Sequence, residues 1–191
     1  MQFTAAQSAI LLDTARDAIR AALAGHAPLS PTTKDPALLR LAGCFVSLHR
    51  LAGHGLRGCV GRLDAVEPVL YAVASGAPSV LRDPRFRDEP VTLGELPELE
   101  LELSILSPLQ PAARVLDFEP LADGIVLSCQ GRTGCFLPQV ARETGWSREQ
   151  LLSRLCTEKM GLPPDAWQQA GANLSVFKTL IIGPEPFEAA S

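Results

Sequence analysis

The sharpest pattern in the chain is "ELELELSIL", residues 98–106. Leu99, Leu101, Leu103 and Ile105 alternate with Glu98, Glu100, Glu102 and Ser104. A period of two is that of a strand with one buried face, and three carboxylates on the other face suit a solvated surface. A period near 3.6 marks the start of the chain. There Ile10, Leu11, Ala15, Ala18, Ile19 and Leu23 recur between a Thr4–Gln7 capping box and Gly25, which predicts an amphipathic helix stopped by the glycine. "HAPLSPTTKDP" has three prolines and no apolar period, and reads as a surface loop. Apolar runs at residues 43–49 and 56–61 flank the turn "RLAGHG" and predict a hairpin. Pro68 opens a helix to about Ser75, and residues 82–97 form a charged connection rich in turn signals. Residues 124–130 and 133–139 predict a second hairpin around Gly131-Arg132. Ser147 and Gln150 make another capping box, for a helix burying Leu151, Leu152, Leu155 and Cys156 and stopping at Gly161. Residues 176–182 predict a final strand.

Antiparallel hairpins with helices between them argue for an α+β fold over a doubly wound sheet. A Gly-Cys strand followed by a helix occurs at Gly58-Cys59 and again at Gly134-Cys135. The order suggests an internal duplication, with halves at about residues 1–97 and 98–187.

Composition narrows the function classes. The chain has 191 residues, 47% apolar and 20% charged, as globular proteins do. A net charge of -4 supplies no overall positive field for nucleic acid, and one Tyr, two Trp and seven Phe leave little for a base-stacking groove. No apolar run has bilayer length, and Asp13 and Arg16 interrupt the N-terminal segment where an export signal would be apolar. Five cysteines without tight spacing then read as reduced thiols of a cytoplasmic protein. Three histidines and no C-x-x-C or H-x-x-x-H give no expectation of a metal site. The chain lacks a P-loop and a G-x-G-x-x-G after a strand, so no nucleotide cofactor is expected.

The candidate chemistry centres on "GLRGCVGRL", residues 55–63. Strand alternation puts Arg57, Cys59 and Gly61 on one face, with the Arg57 and Cys59 side-chain roots ~7 Å apart. A guanidinium on that face favours the thiolate, which makes Cys59 a candidate nucleophile. Gly58 and Gly61 allow a backbone or ligand to come close, and His49 or His54 is a candidate base for the thiol. The competing reading is a small, buried, inert cysteine among glycines that let the sheet curve. In "DPRF", residues 83–86, Asp83 caps a turn or pairs with an arginine, and Arg85 and Phe86 present a cation beside a ring. Glu102 is a candidate general base, or a partner for Arg57 or Arg85, if its face lines a cleft.

Taken together, "GCFVSL", "LRGCVG", "DPRF", "ELELSIL", "LPQVARETGW" and "GLPPDAW" resemble the AMMECR domain family, called AmmeMemoRadiSam system protein A in bacteria and archaea. The likeness covers residues 3–187 as a single domain. It implies two β-α repeats that share one strongly curved, barrel-like antiparallel sheet with flanking helices. It also implies two partners, a Memo-like protein related to extradiol dioxygenases and a radical SAM enzyme. No cofactor and no reaction come with it. Arg57, Gly58, Cys59 and Gly61 match the signature, and Asp83, Arg85, Phe86, Glu102, Ser104 and Gln139 match its other recurring positions. The sequence departs from the family in three places. Asp123-Gly124-Ile125 stands where relatives usually have His-Gly-Leu, Cys135 replaces an aliphatic residue, and "SVLR" precedes "DPRF". The resulting expectation is a cleft around Arg57, Cys59, Arg85 and Glu102 that binds a small anionic or peptide-like group. The alternative is a protein-interaction module in which the Gly-Cys strand is structural.

Overall fold

The computed structural model describes residues 2–28 and 30–188. They divide into two compact units, one taking the described residues up to Pro108 and from Leu180 onward, the other Leu109–Thr179.

In the first unit, helix α1 (Ala5–Leu23) starts at the expected capping box, with the Thr4 hydroxyl accepting from Gln7 N–H and the Gln7 side chain from Thr4 N–H. It stops where Gly25 takes a left-handed φ of 70°. The His26 and Gly25 amides there donate back to the Ala21 and Ala22 carbonyls, closing the last turn. Leu11, Leu12, Ala15, Ala18 and Ile19 are buried, whereas Ile10 is exposed. Strands β1 (Gly43–Arg50) and β2 (Leu56–Arg62) form the first hairpin. Helix α2 (Val69–Gly76) follows Pro68 and runs into a 3-10 turn, Ala77–Arg82. Two more 3-10 turns, Pro84–Phe86 and Leu93–Glu98, lead into β3 (Leu99–Leu106).

Val46 and Leu48 of β1 pair with Leu103 and Leu101 of β3. All four are buried in one core with α1 and α2. The opposite face of β3 departs from expectation. Glu98 is exposed, but Glu100 and Ser104 are buried and Glu102 is half-buried. A row of carboxylates with a strict period of two is therefore not the solvated surface that its composition suggested.

The second unit contains β4 (Gln110–Pro111), β5 (Gly124–Cys129), β6 (Arg132–Phe136), helices α3 (Pro138–Thr144) and α4 (Arg148–Arg154), and β7 (Asn173–Phe177). The β5–β6 reversal lies at Gln130 and Gly131, with φ of 51° and 72°. A two-residue turn with both φ positive suits the twist of a hairpin. It falls one residue earlier than expected. β6 ends at Phe136, short of Gln139, because Pro138 starts α3. The α4 capping box is present, and a wider turn, Leu155–Lys159, continues the helix. Leu151, Leu152, Leu155 and Cys156 are all buried.

The expected final strand over 176–182 is two strands. β7 ends at Phe177 and β8 (Thr179–Pro186) follows Lys178, and each joins a different sheet. The sheets have the orders β2-β1-β3-β8 and β4-β7-β5-β6. A single barrel-like sheet shared by two repeats is thus not what forms. The described strands make two open four-stranded sheets within an α+β fold. No described helix is long and apolar enough to cross a membrane.

Candidate functional site

The site residues depend on one irregularity in β2. Near the turn, His49 pairs with Leu56; farther along, Leu48 pairs with Gly58. Arg57 is the extra residue of a β-bulge. Alternation does not carry across a bulge, so the spacing of Arg57 and Cys59 no longer fixes a common face. Without the bulge, the register set at His49–Leu56 would put Cys59 opposite Val46, in the apolar core. With it, Cys59 pairs with Ser47, and Ser47 pairs on its other side with Glu102. A shift of one residue moves a side chain to the other face of a sheet. Cys59, Ser47 and Glu102 consequently form one row across three strands, on the face opposite Val46 and Leu48.

The bulged residue is anchored firmly. Arg57 is only 3% exposed. Its Nε donates to Glu95 Oε1 at 2.6 Å and its Nη2 to Glu95 Oε2 at 3.1 Å and the Glu89 carbonyl at 2.6 Å. Its guanidinium also lies 5.5 Å from the centre of the Phe86 ring. The two-pronged carboxylate contact is the geometry that arginine satisfies and lysine does not.

Gly58 and Gly61 are sites of close packing. A Cβ on Gly58 would meet the Val80 carbonyl at 2.9 Å, and one on Gly61 would come within 2.6 Å of the Phe45 ring.

β2 is an edge strand, and an edge leaves backbone groups open. At Cys59 both are taken by the "DPRF" turn. Cys59 N–H donates to Asp83 Oδ2 at 2.9 Å, and Arg85 Nη2 donates to the Cys59 carbonyl at 3.3 Å. Asp83 also accepts from Arg85 N–H, Nε and Nη2 at 3.0, 3.0 and 2.6 Å. These bonds, the Arg85 side chain foremost, hold the Asp83 carboxyl well below the usual range. Asp83 in turn holds the Arg85 guanidinium above its ordinary value, with a smaller contribution from a Cys59 thiolate. The arginine in contact with Cys59 is thus Arg85, through the Cys59 carbonyl. The Phe86 ring is flanked by both arginines, with Arg85 at 5.8 Å.

Glu102 pairs with neither arginine, since Glu95 and Asp83 occupy them. Burial raises its carboxyl, opposed by His49 and reinforced by Glu100. His54, the other base considered for the thiol, is bound instead to Glu100, with Nδ1 2.7 Å from Oε1. Ser104 lies on the Glu102 face, opposite Phe45. Gln139 belongs to α3 in the second unit, and its Oε1 is buried without a hydrogen-bond partner among the described residues. Cys135 is half-buried, as Cys59 is, and burial pushes its thiol up to about 12. Asp123, at the family's histidine position, pairs with Lys178 at 2.6 Å.

The structure therefore gathers Arg57, Gly58, Cys59, Asp83, Arg85 and Phe86 at the β2 edge and sets Glu102 and Ser104 on the adjoining face. Sequence reasoning missed Ser47 and Glu95. Ser47 could have been found from the polar alternation of "FVSLH", but its partner depends on the bulge. A cavity of about 1070 Å³ lies in the second unit, with Arg114, Asp117, Glu119, Arg148 and Trp167 in its wall; Arg57, Cys59, Arg85 and Glu102 do not line it. Among the described residues no three His, Cys, Asp or Glu side chains gather to hold a metal.

Comparison with known proteins agrees with this architecture. The AMMECR1 family model matches residues 12–182. Protein MJ0810 of Methanocaldococcus jannaschii is 36% identical over 146 residues, covering 73% of this chain and 71% of its own length. Protein PH0010 of Pyrococcus horikoshii is 34% identical over 164 residues, covering 81% and 78%. The crystal structure of uncharacterized protein PH0010 superposes with a TM-score of 0.77 at 32% identity, over 90% of this chain and 88% of that one. The chain belongs to the AMMECR1 family.

Proposed function

We propose that this protein binds a small peptide-like group on the Cys59–Ser47–Glu102 face, in work shared with a Memo-like protein and a radical SAM enzyme. Cys59 contacts or attacks the ligand, and Glu102 acts as the base. The observation that carries this reading is the row itself. A thiol and a half-buried, raised carboxyl share one face of the sheet, on either side of one serine. Asp83, Arg85 and Phe86, with Gly58 and Gly61, form the frame that fixes the thiol. Ser104, on the Glu102 face of the same unit, is proposed as a further ligand contact. The partner assignment rests on the family resemblance. Of the two ligand classes expected, the anionic one loses support because Arg57 and Arg85 are already neutralised. A neutral or amine-bearing peptide-like group suits a face with Glu100 and Glu102.

A second reading, the interaction module, is favoured by a different observation. The signature residues around Cys59 all have packing or edge-capping roles. Replacing Cys59 by Ala separates the two. The proposed site predicts an unchanged fold, unchanged association with the two partner proteins from the same genome and lost pathway output. Unchanged output in C59A supports the module, and no association with either partner removes the pathway assignment.

A further inference from the structure

We propose that the peptide-like ligand adds to the open edge of β2 as a short extended strand, pairing with Gly61 and placing one small side chain in the cavity beside it; this rests on the proposed peptide binding. The backbone geometry follows from Cys59. Its N–H and C=O bond outward, to Asp83 and Arg85, so Ser47–Cys59 is a pair without mutual backbone hydrogen bonds. Such pairs alternate with bonded ones along an antiparallel ladder, and the register from Cys59 to Arg62 is regular. Val46–Val60 is therefore a bonded pair, and Phe45–Gly61 is again an unbonded one. A Cβ on Gly61 would lie 2.5 Å from Phe45 Cα, in keeping with the closer approach of unbonded pairs. Gly61 thus turns its N–H and C=O to the edge, as Cys59 does. It is exposed, and no turn, loop or side chain among the described residues bonds either group.

Alternation also assigns the ligand's side chains. A residue facing Gly61 shares the face of Cys59 and Glu102, and its neighbours point to the other face. A cavity of about 220 Å³ borders Gly61, walled by Val60 and Arg62 of β2 and by Ala72, Ser75, Gly76 and Ser79. Its small residues suit a short aliphatic or hydroxyl side chain. Main-chain pairing, with a pocket for alternate side chains, is how a sheet edge recognises a peptide. Two of the other edges are blunted: β4 is two residues long and ends in Pro111, and β8 carries Pro184 and Pro186. At Cys59 the Asp83–Arg85 clamp closes the open stretch. What remains suits a short peptide and not the longer edges that two folded copies of the chain would pair.

The test uses the full chain and amide hydrogen exchange followed by NMR. In the free protein the Gly61 amide exchanges at least about tenfold faster than the Cys59 amide; equal protection overturns the proposal. A displayed library of random peptides is then panned against the chain, and a synthetic copy of the enriched sequence is added. At saturation it slows Gly61 exchange at least about tenfold. Ser79→Leu, which fills the cavity, weakens its binding at least about tenfold; if S79L does not fold, Ser75→Leu carries this arm. Undiminished binding to the filled variant overturns the cavity assignment. A peptide that shifts the Cys59 and Glu102 resonances without protecting Gly61 overturns the edge pairing and leaves the proposed site standing. Gly61 protection that rises with protein concentration in the absence of peptide gives the edge to a second copy and overturns the proposal. No enriched peptide overturns both the edge pairing and the proposed peptide binding.

Discussion

The chain has two Gly-Cys pairs, each on the edge strand of a hairpin, and they differ in an instructive way. Gly58 and Gly134 serve the same purpose. A Cβ on Gly58 would strike Val80 of the turn after α2, and one on Gly134 would strike Met160 beside the turn after α4. In both units a helical turn descends onto the strand at its glycine. The cysteines then diverge. Cys135 lies opposite Val126 and burial pushes its thiol up to about 12. Cys59 lies opposite Ser47, and its backbone is held by Asp83 and Arg85. The glycine is a packing device common to both hairpins. What distinguishes a candidate reactive thiol from an inert one is the residue across the sheet, and at Cys59 a bulge at Arg57 selects that residue.

The contrast is most strongly broken at Arg57, whose counterpart in the second hairpin, Thr133, is exposed. Arg57→Ala removes the anchor of the bulge and leaves Glu95 only the exposed Arg50, at 3.8 Å. A loss of about 3–5 kcal/mol in urea unfolding is expected, as for breaking one side of a buried ion pair. A loss under about 1 kcal/mol would mean that the bulge is held by something else. The glycines come next. Alanine at either position costs about 1–3 kcal/mol, but Gly58→Ala costs more. Its nearest obstruction is a carbonyl at 2.9 Å, whereas Gly134 faces first the flexible Met160 side chain. Equal melting shifts for the two variants would remove this distinction.

The smallest effect is in acid. Folded Asp83 titrates below its unfolded value, near 3.9. Below about pH 4 the unfolded chain therefore binds a proton that the folded chain does not. The stabilisation is present above that pH and is lost as pH falls towards the folded value. Asp83→Asn should flatten the dependence of stability on pH below 4 by about 1 kcal/mol per pH unit. An unchanged slope would mean that the edge clamp carries little energy.

Much of this architecture was legible in the sequence, because both capping boxes, the first hairpin and the apolar face of β3 are fixed by local signals. The α+β class follows from them. The separation into two sheets was not legible, since residues 176–182 read as one apolar run and nothing local marks the break at Lys178. The candidate site was legible as a set of residues but not as an arrangement. Counting back from the His49–Leu56 pair gives the wrong partner for Cys59, and only the burial of Arg57 against Glu95, 38 residues away, corrects it. The Glu100–Glu102–Ser104 face read as solvated because alternation identifies faces without saying what covers them.

On the proposed reading, the bulge presents Cys59 on a reactive face while Cys135 stays inert. Iodoacetamide labelling of the folded protein at pH 8, with both cysteines followed by peptide mass spectrometry, tests it most directly. A thiol at about 12 carries a thiolate fraction of about 10⁻⁴ at that pH, so Cys59 should be modified while Cys135 remains protected until the chain unfolds. Equal labelling of the two, or a Cys59 that reacts only after unfolding, would mean that the bulge does not single out Cys59.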